Sequence, residues 1–375
     1  MISREEYFNL LLFDYEAFLD EKISKVDLYI ANLKYHEPFK IATGTFSKSE
    51  NLIVITYDKN GEYGVGEAPL RELTDAMIHK VREETKLLVL DNTLRNIINT
   101  IINENYEAHF RLALSMAIID LLTKKIGKRY GDFFSKSYPD FVDTDITIGI
   151  RSVEETVKTM EKFLKFGFKT FKIKVGEDIK KDIQRVSVLN EKAPNDVVFR
   201  FDANQGWNVE DTLEFISFIN RADMHVEFIE QPLPKEHYQK TNEIRDKTEI
   251  PIILDESVRK SSDIEKVAKY TDGVNLKPVK AESIFEIAYG YKLAKELSLL
   301  TMIGCSSESN IGITSSTYLS AAFKLDFSDL DSDVLQEKLL KREITQAIGG
   351  KRVLPHSNGL GVTLDLIDMS KLNKI

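Results

Sequence analysis

The sequence predicts an α/β protein in which a barrel of alternating strands and helices follows an α+β domain. Three observations lead there. From about residue 145 onward, short β-prone apolar runs alternate with segments of helical periodicity, the pattern of a parallel sheet covered by helices. The runs are "DITIGI", "TFKIKV", "VVFRFD", "VEFIE", "IPIILD", "GVNLK", "LTMIGC" and, less regularly, "FKLDFSDLD", and eight is the strand number of a closed β/α barrel. Several of these runs end in an acid or a lysine followed by turn-like sequence, and the C-terminal ends of barrel strands are where active sites form. A doubly wound open sheet is the alternative architecture.

The elements follow in order. "MISREEYFNLLLFDYEAFLDEK" reads as a short amphipathic helix with Leu10, Leu11 and Phe18 among its candidates for burial. "KVDLYIANLKY", "NLIVITYD" and "GEYGVGEA" read as an antiparallel meander with "KNGEYG" as a turn, and residues 75 to 130 read as helical. In the first barrel helix Ser152 and Glu155 have capping-box spacing. Val153, Val157, Met160 and Leu164 form its apolar stripe, and Gly167 is placed to end it. The tail "KRVLPHSNGLGVTLDLI" returns to short β-like runs. The resulting division is 1–140 for the α+β domain, with an N-terminal extension of about 1–25, 141–345 for the barrel, and 346–375 for a segment that rejoins the first domain.

Composition narrows the function classes. The 375 residues are 42% hydrophobic and 30% charged with a net charge of -9, so neither nucleic acid nor an anionic membrane surface is an expected partner. The single cysteine, Cys305, cannot form an internal disulfide and suits a reducing cytoplasm. The N-terminal apolar stretch is interrupted by acids and lacks a small-residue cleavage pattern, so neither a signal peptide nor a membrane span is expected.

The chemistry lies at the strand ends. In "KTFKIKVG" strand alternation sends Lys172 and Lys174 to one side and Phe171, Ile173 and Val175 to the other. The next three strands end in Asp202, Glu230 and Asp255. Singly, each acid suits a turn or a helix cap. Together at one barrel rim their repulsion demands a cation, and an all-oxygen ligand set suits Mg²⁺, or Mn²⁺, better than Zn²⁺. The strand after Asp255 ends in Lys277, on the far side of such a metal from Lys174. Two amines on opposite faces of a bound carbon can remove a proton on one side and return one on the other. Such a lysine needs a lowered pKa, and Lys172 and the metal are the expected source of like charge.

The ordered set "KIKVG", "FDANQGW", "EQPLP", "LDES", "NLK" resembles the enolase superfamily, within its muconate lactonizing subgroup, and the likeness extends through "GVGEAPL" and "LALSMAIIDLLTKKIGK". The resemblance implies a modified (β/α)8-type barrel, (β/α)7β, with the α+β domain as its cap. It also implies Asp202, Glu230 and Asp255 as Mg²⁺ ligands, Lys174 and Lys277 as the acid/base pair and Lys172 as their assistant. The shared step would be abstraction of a proton α to a carboxylate to give an enediolate, a logic known for enolase-type sites.

Within the subgroup, "MIGCSSESNIGITSS" and "SDLDSD" resemble the dipeptide epimerases of the L-Ala-D/L-Glu type. That likeness implies Asp329 and Asp331 as the site of a dipeptide's α-ammonium, with Thr147, Ser306 and Glu308 as further substrate-binding residues. The expected activity is a dipeptide epimerase inverting the α-carbon of the C-terminal residue, in a cytoplasmic homo-oligomer. The alternatives on the same scaffold are an o-succinylbenzoate synthase, a muconate-type cycloisomerase or an N-acyl amino acid racemase. From another class, the alternative is an inactive binding protein of the same fold. "PFKIATGT" carries no arginine where the Glu-specific epimerases have one, so the side chain accepted is open, and two loops near residues 40–48 and 62–72 are expected to choose it.

Overall fold

In the computed structural model, which describes residues 2–70 and 72–375, three strands, Ile23–Ile41, Gly44–Asp58 and Tyr63–Leu70, form the expected antiparallel meander. Leu372–Lys374 at the far end of the chain pairs with the first of them, so the tail closes this sheet. Helices Asp75–Asp91, Leu94–Ile102 and Ala108–Lys125 complete the cap. The last is buried along most of its length because it lies against the third strand, where Gly64 and Gly66 allow backbone contact. A Cβ on Gly66 would stand 1.9 Å from the Ala113 carbonyl oxygen, and one on Gly64 equally close to that of Ala117.

The barrel strands are Ile146–Ile148, Thr170–Lys174, Val198–Asp202, Val226–Glu230, Ile252–Leu254, Gly273–Leu276, Leu300–Gly304 and Phe327–Asp329, parallel and in sequence order. Each of the first seven is followed by a covering helix, from Val153–Lys165 to Asn310–Phe323, whereas the eighth leads only into the one-turn Ser332–Leu335. The barrel is therefore (β/α)7β. Ser152 and Glu155 form the capping box expected of the first helix, and Gly167, at φ 86°, follows its end. The eighth and first strands join through side chains, with Thr147 N donating to Asp331 Oδ2 at 2.6 Å and Leu330 N to Thr144 Oγ1 at 3.0 Å.

The N-terminal extension forms helix Arg4–Leu12 and a 3-10 segment, Phe13–Phe18. Its buried stripe is Phe8, Leu12, Tyr15 and Leu19, spaced by three and four residues. Phe8 meets Phe285 of a barrel helix edge-on at 5.9 Å between ring centroids, and Tyr15 meets Phe133 at 5.0 Å. This corrects the expectation for Leu10, which is 66% exposed because it lies off that stripe; Leu11 and Phe18 are half-buried. The first two cap strands also continue as an arm, with Phe39 opposite Phe46 and Ile41 opposite Gly44. This arm reaches the barrel rim, where Ile150 N donates to Lys40 O at 2.8 Å and Lys40 Nζ pairs with Glu177 at 2.7 Å.

Gly66→Ala should destabilise the protein by about 1 to 3 kcal/mol or more, the cost of overpacking, because its methyl has only a helix backbone to displace. Gly61→Ala, at φ 83° with open space around it, should lose only about 1 to 2 kcal/mol from left-handed strain. Urea unfolding of both variants compares them, and equal losses would show that the close helix crossing is not what Gly66 serves.

Candidate active site

Strand register sets the reactive groups side by side. Lys174 pairs with Asp202, Asp202 with Glu230, and Glu230 with Ile253, two residues before Asp255. Because alternate residues face the barrel interior, Lys172 points inward beneath Lys174 and is fully buried. Its ammonium lies 2.6 Å from Glu230 Oε2, 2.7 Å from Asp329 Oδ2 and 3.2 Å from Asp202 Oδ2. Lys174 Nζ meets Asp202 Oδ2 at 2.6 Å.

Across the rim, Lys277 Nζ stands 3.1 Å from Asp255 Oδ2. The other Asp255 oxygen is taken by Lys280 at 2.5 Å, whose ammonium also donates to the carbonyls of Val258 and Asn275. Lys280 escaped the sequence reading. The available signal was its place three residues after Lys277 in "NLKPVK", because the short helix Pro278–Ala281 turns it back under the strand end. Asn275 was missed as well; its side-chain amide donates to Glu230 Oε1 at 2.7 Å.

The electrostatics follow from these pairs. Against the burial that favours their neutral forms, neighbouring lysines hold Asp202 and Asp255 below the usual carboxylate range. Burial, reinforced by the Asp202 charge, raises Glu230. Glu256, beside Asp255 and Asp202, is pushed up to about 7 by burial and then by those two charges. Lys277 departs from expectation. Burial, the largest influence, and Lys172 both act to lower it, but Asp255, Glu230 and Asp202 together outweigh them and it is raised. Lys172 is raised as well, its burial outweighed by Asp329, Glu230 and Asp202.

The donor set fits a hard divalent cation. Asp202, Glu230 and Asp255 offer only oxygens and are buried. Glu230 Oε2 meets Lys172 as an ion pair without a hydrogen bond, and Asn204 Oδ1 nearby has no partner. Their carboxylates nevertheless do not form one tight cluster, since Asp255 is drawn to Lys277 and Lys280 while Asp202 and Glu230 share Lys172. Among the described residues, the group of ligand atoms lying within 4.8 Å of one another is Cys305, Asp329 and Asp331.

That second cluster is the side of the site formed by the seventh, eighth and first strands. Thr147 joins it, donating its N–H to Asp331 and its hydroxyl to Asp329 at 3.3 Å. Asp331 is pushed up to about 6 by burial and by the Asp329 charge. Asp329, though buried, is held at about 2 by Lys172 and the other lysines. One cavity of ≈ 870 Å³ has Lys174, Lys277, Asp255, Ser306, Asp329 and Asp331 on its wall, whereas Asp202, Glu230 and Lys172 are fully buried and not part of that wall. Glu308 is not on that wall. Its carboxylate is turned back to accept the Ser306 N–H at 2.5 Å, which leaves it 2% exposed. From the cap, Phe39, Ile41 and Phe46 of the arm and Pro69 and Leu70 of the third strand face the cavity; Arg71, in the second loop expected to select substrate, lies outside the described residues.

Residues 155–368 match the family described as enolase C-terminal domain-like. A relative from Bacillus subtilis (strain 168), the L-Ala-D/L-Glu epimerase, is 30% identical over 360 residues, covering 91% of this chain and 96% of its own. The dipeptide epimerase of Cytophaga hutchinsonii, solved with Mg and the dipeptide D-Ala-L-Val, superposes with a TM-score of 0.86 at 26% identity over 94% of this chain and 99% of its own. The dipeptide epimerase of Enterococcus faecalis V583, solved with Mg and L-Leu-L-Tyr, gives 0.84 at 27% identity over 91% and 99%. With its ring of acids and lysines at the C-terminal rim of a (β/α)7β barrel, this chain belongs to the enolase C-terminal domain-like family.

Proposed function

We propose that the protein is a Mg²⁺-dependent dipeptide epimerase that inverts the α-carbon of the C-terminal residue. The observation that carries the reading is the convergence, on one cavity, of two lysines from the second and sixth strands with an Asp pair on a third side. A monoacid substrate leaves that Asp pair idle. A dipeptide brings an ammonium to Asp329 and Asp331 and a carboxylate to the opposite rim, which suspends its α-carbon between Lys174 and Lys277. The relatives named above are epimerases of this kind.

Asp202, Glu230 and Asp255 would hold the divalent ion. When bound it supplies Lewis acidity to the substrate carboxylate, where negative charge grows as the α-proton leaves. Lys174 takes the proton from one face of the carbon in its neutral form, leaving an enediolate, and Lys277 as an ammonium delivers a proton to the other face; the reverse reaction exchanges their roles. Lys172 beneath them favours the charged form of Asp329 and, with Lys174, that of Asp202. Thr147 and Ser306 complete the substrate-facing wall. A synthase, cycloisomerase or N-acyl racemase has no use for an ammonium site, and an inactive homologue has no reason to keep both lysines and all three acids.

The side chain of the reacting residue is read from the cap. Among the described residues its wall over the cavity includes Tyr35, Phe39, Ile41, Phe46 and Leu70 beside the polar Thr43, Lys48, Ser49 and Glu50, with Tyr35 stacked on Phe39 at 5.9 Å. Among the described cap residues the cation on that wall is Lys48, which is paired with Glu50 at 2.8 Å, and Gly44 sits near the arm's tip. This favours an apolar or aromatic residue over glutamate. A reducing cytoplasm suits the single buried thiol of Cys305, and a homo-oligomer is part of the reading; among the described residues no helix is long and apolar enough to cross a membrane.

Three outcomes test this. In D₂O with Mg²⁺, Lys174→Ala should lose α-deuteration starting from one epimer and Lys277→Ala from the other, and chelation should stop exchange in the parent until Mg²⁺ is restored. Normal epimerisation in both directions by Lys277→Ala would remove the two-base assignment. Asp331→Asn should lower kcat/KM for dipeptides about a hundredfold, some 2.8 kcal/mol at 1.4 kcal/mol per decade, and affect N-acylated substrates less. In a panel of L-Ala-L-X dipeptides, X = Phe or Leu should exceed X = Glu by about tenfold or more in kcat/KM, roughly 1.4 kcal/mol. A preference for Glu would show that a cation outside the arm reads the side chain.

A further inference from the structure

We propose that Glu67 of the cap is a positioning residue for the active site, whose carboxylate reaches across the domain boundary to fix the loop of residues 305–309 that forms one cavity wall. Glu67 lies in the third cap strand and is fully buried. It has four hydrogen-bond donors. Oε1 accepts from Asn51 Nδ2 at 2.5 Å and from Ser309 N at 2.7 Å, and Oε2 accepts from Ser309 Oγ at 2.8 Å and Gly312 N at 2.7 Å. The last three donors are the cap position and first turn of barrel helix Asn310–Phe323.

A helix N-terminus carries unsatisfied N–H groups and a partial positive charge, which its own N-cap side chain normally meets. Here Ser309 fills that place with a short reach to Ile311 N, and a carboxylate from another domain takes two further donors. Because all four partners donate, the ionised carboxylate is the form they satisfy. Burial pushes Glu67 upward in pKa, and these bonds oppose it. No cation contacts it among the described ion pairs, so the helix end and the amides carry the compensation.

The consequence for the cavity follows from what adjoins the clamp. Asn51, held by Glu67, uses the same amide to grip Ser307 O at 2.8 Å. Ser306 and Ser307 face the cavity, and Cys305 belongs to the cluster with Asp329 and Asp331. Gly312 leaves no slack, because a Cβ there would lie 2.8 Å from Glu308 Cγ and 3.1 Å from Glu67 Oε2. A shift of the cap relative to the barrel therefore moves the wall against which the substrate lies, while the acids on the third to fifth strands, attached elsewhere in the barrel, stay in place.

Glu67→Gln tests this, since it keeps the shape but turns an NH₂ group toward donors. Expected are at least tenfold faster hydrogen exchange at the Ser309 and Gly312 amides, an approximately tenfold rise in dipeptide KM with a smaller change in kcat, and unaltered Mg²⁺ affinity by calorimetry. Should the variant not fold, Ser309→Ala, which removes one donor to Glu67 together with the cap of Ile311 N, carries the Gly312 exchange and KM measurements with several-fold effects in the same directions. Unchanged amide exchange overturns the proposal, as does a lowered Tm with KM unchanged, which would reduce Glu67 to domain adhesion. The kinetic arm rests on the epimerase reading. A parent enzyme that turns over no dipeptide would refute that reading alone, leaving amide exchange and Mg²⁺ affinity to decide the role of Glu67.

Discussion

Acids brought to one rim of a barrel repel each other, and the Lys172 ammonium buried among Glu230, Asp202 and Asp329 answers that repulsion from within the fold. Taking four charges out of water is costly, and such a cluster is tolerable only when every charge is met; removing one partner leaves another uncompensated, a loss of about 3 to 5 kcal/mol in comparable buried pairs. The rim is therefore a single electrostatic unit. Lys172 links the acids of the third and fourth strands to Asp329 of the eighth, and Lys277 and Lys280 extend the pattern to Asp255. A bound divalent ion would add to an arrangement already made for cations.

The cap covers this charged rim and supplies part of the cavity wall. Its arm lies over the second strand through Lys40 and Glu177, and its third strand docks on the seventh barrel helix through Glu67. The N-terminal extension packs Phe8 against a barrel helix and Tyr15 against Phe133 near the end of the cap. Cap and barrel are thus joined by both polar and apolar contacts, Arg4 pairing with Glu286 at 2.7 Å beside the Phe8–Phe285 contact. Cavity walls come from both, so side-chain choice and chemistry are divided between two pieces of the same chain.

Much of this was legible in the residues. The alternation of apolar runs and helical stripes announced the barrel, and the capping box at Ser152 and Glu155 appears as read. Lys174, Asp202, Glu230, Asp255 and Lys277 were singled out by their place at strand ends and Lys172 by its alternation with Lys174; strand periodicity, which is local, sets the face each displays, and Lys172 lies buried beneath the others. Leu10 was misjudged because a single helix turn shifted in phase changes which residue faces inward, and the 3-10 continuation at Phe13–Phe18 was not visible in the pattern.

What the tertiary structure alone decided concerns pairs far apart in sequence. Lys172 meets Asp329 across 157 positions and Glu67 meets Gly312 across 245, and no local periodicity encodes which of many acids a given donor will reach. The direction of the Lys277 shift was likewise undecidable from neighbours in sequence, because it depends on how burial and Lys172 balance against Asp255, Glu230 and Asp202, and Coulomb energies in a buried site change steeply over a few ångströms. The turning of Glu308 away from the cavity has the same origin: its side chain accepts the backbone N–H two residues before it, a loop conformation held in place by the cap. By itself, then, the sequence determined the residue types and the face on which each strand displays them. Packing of cap on barrel decided which of those groups touch, since contact depends on distances that only the closed chain defines.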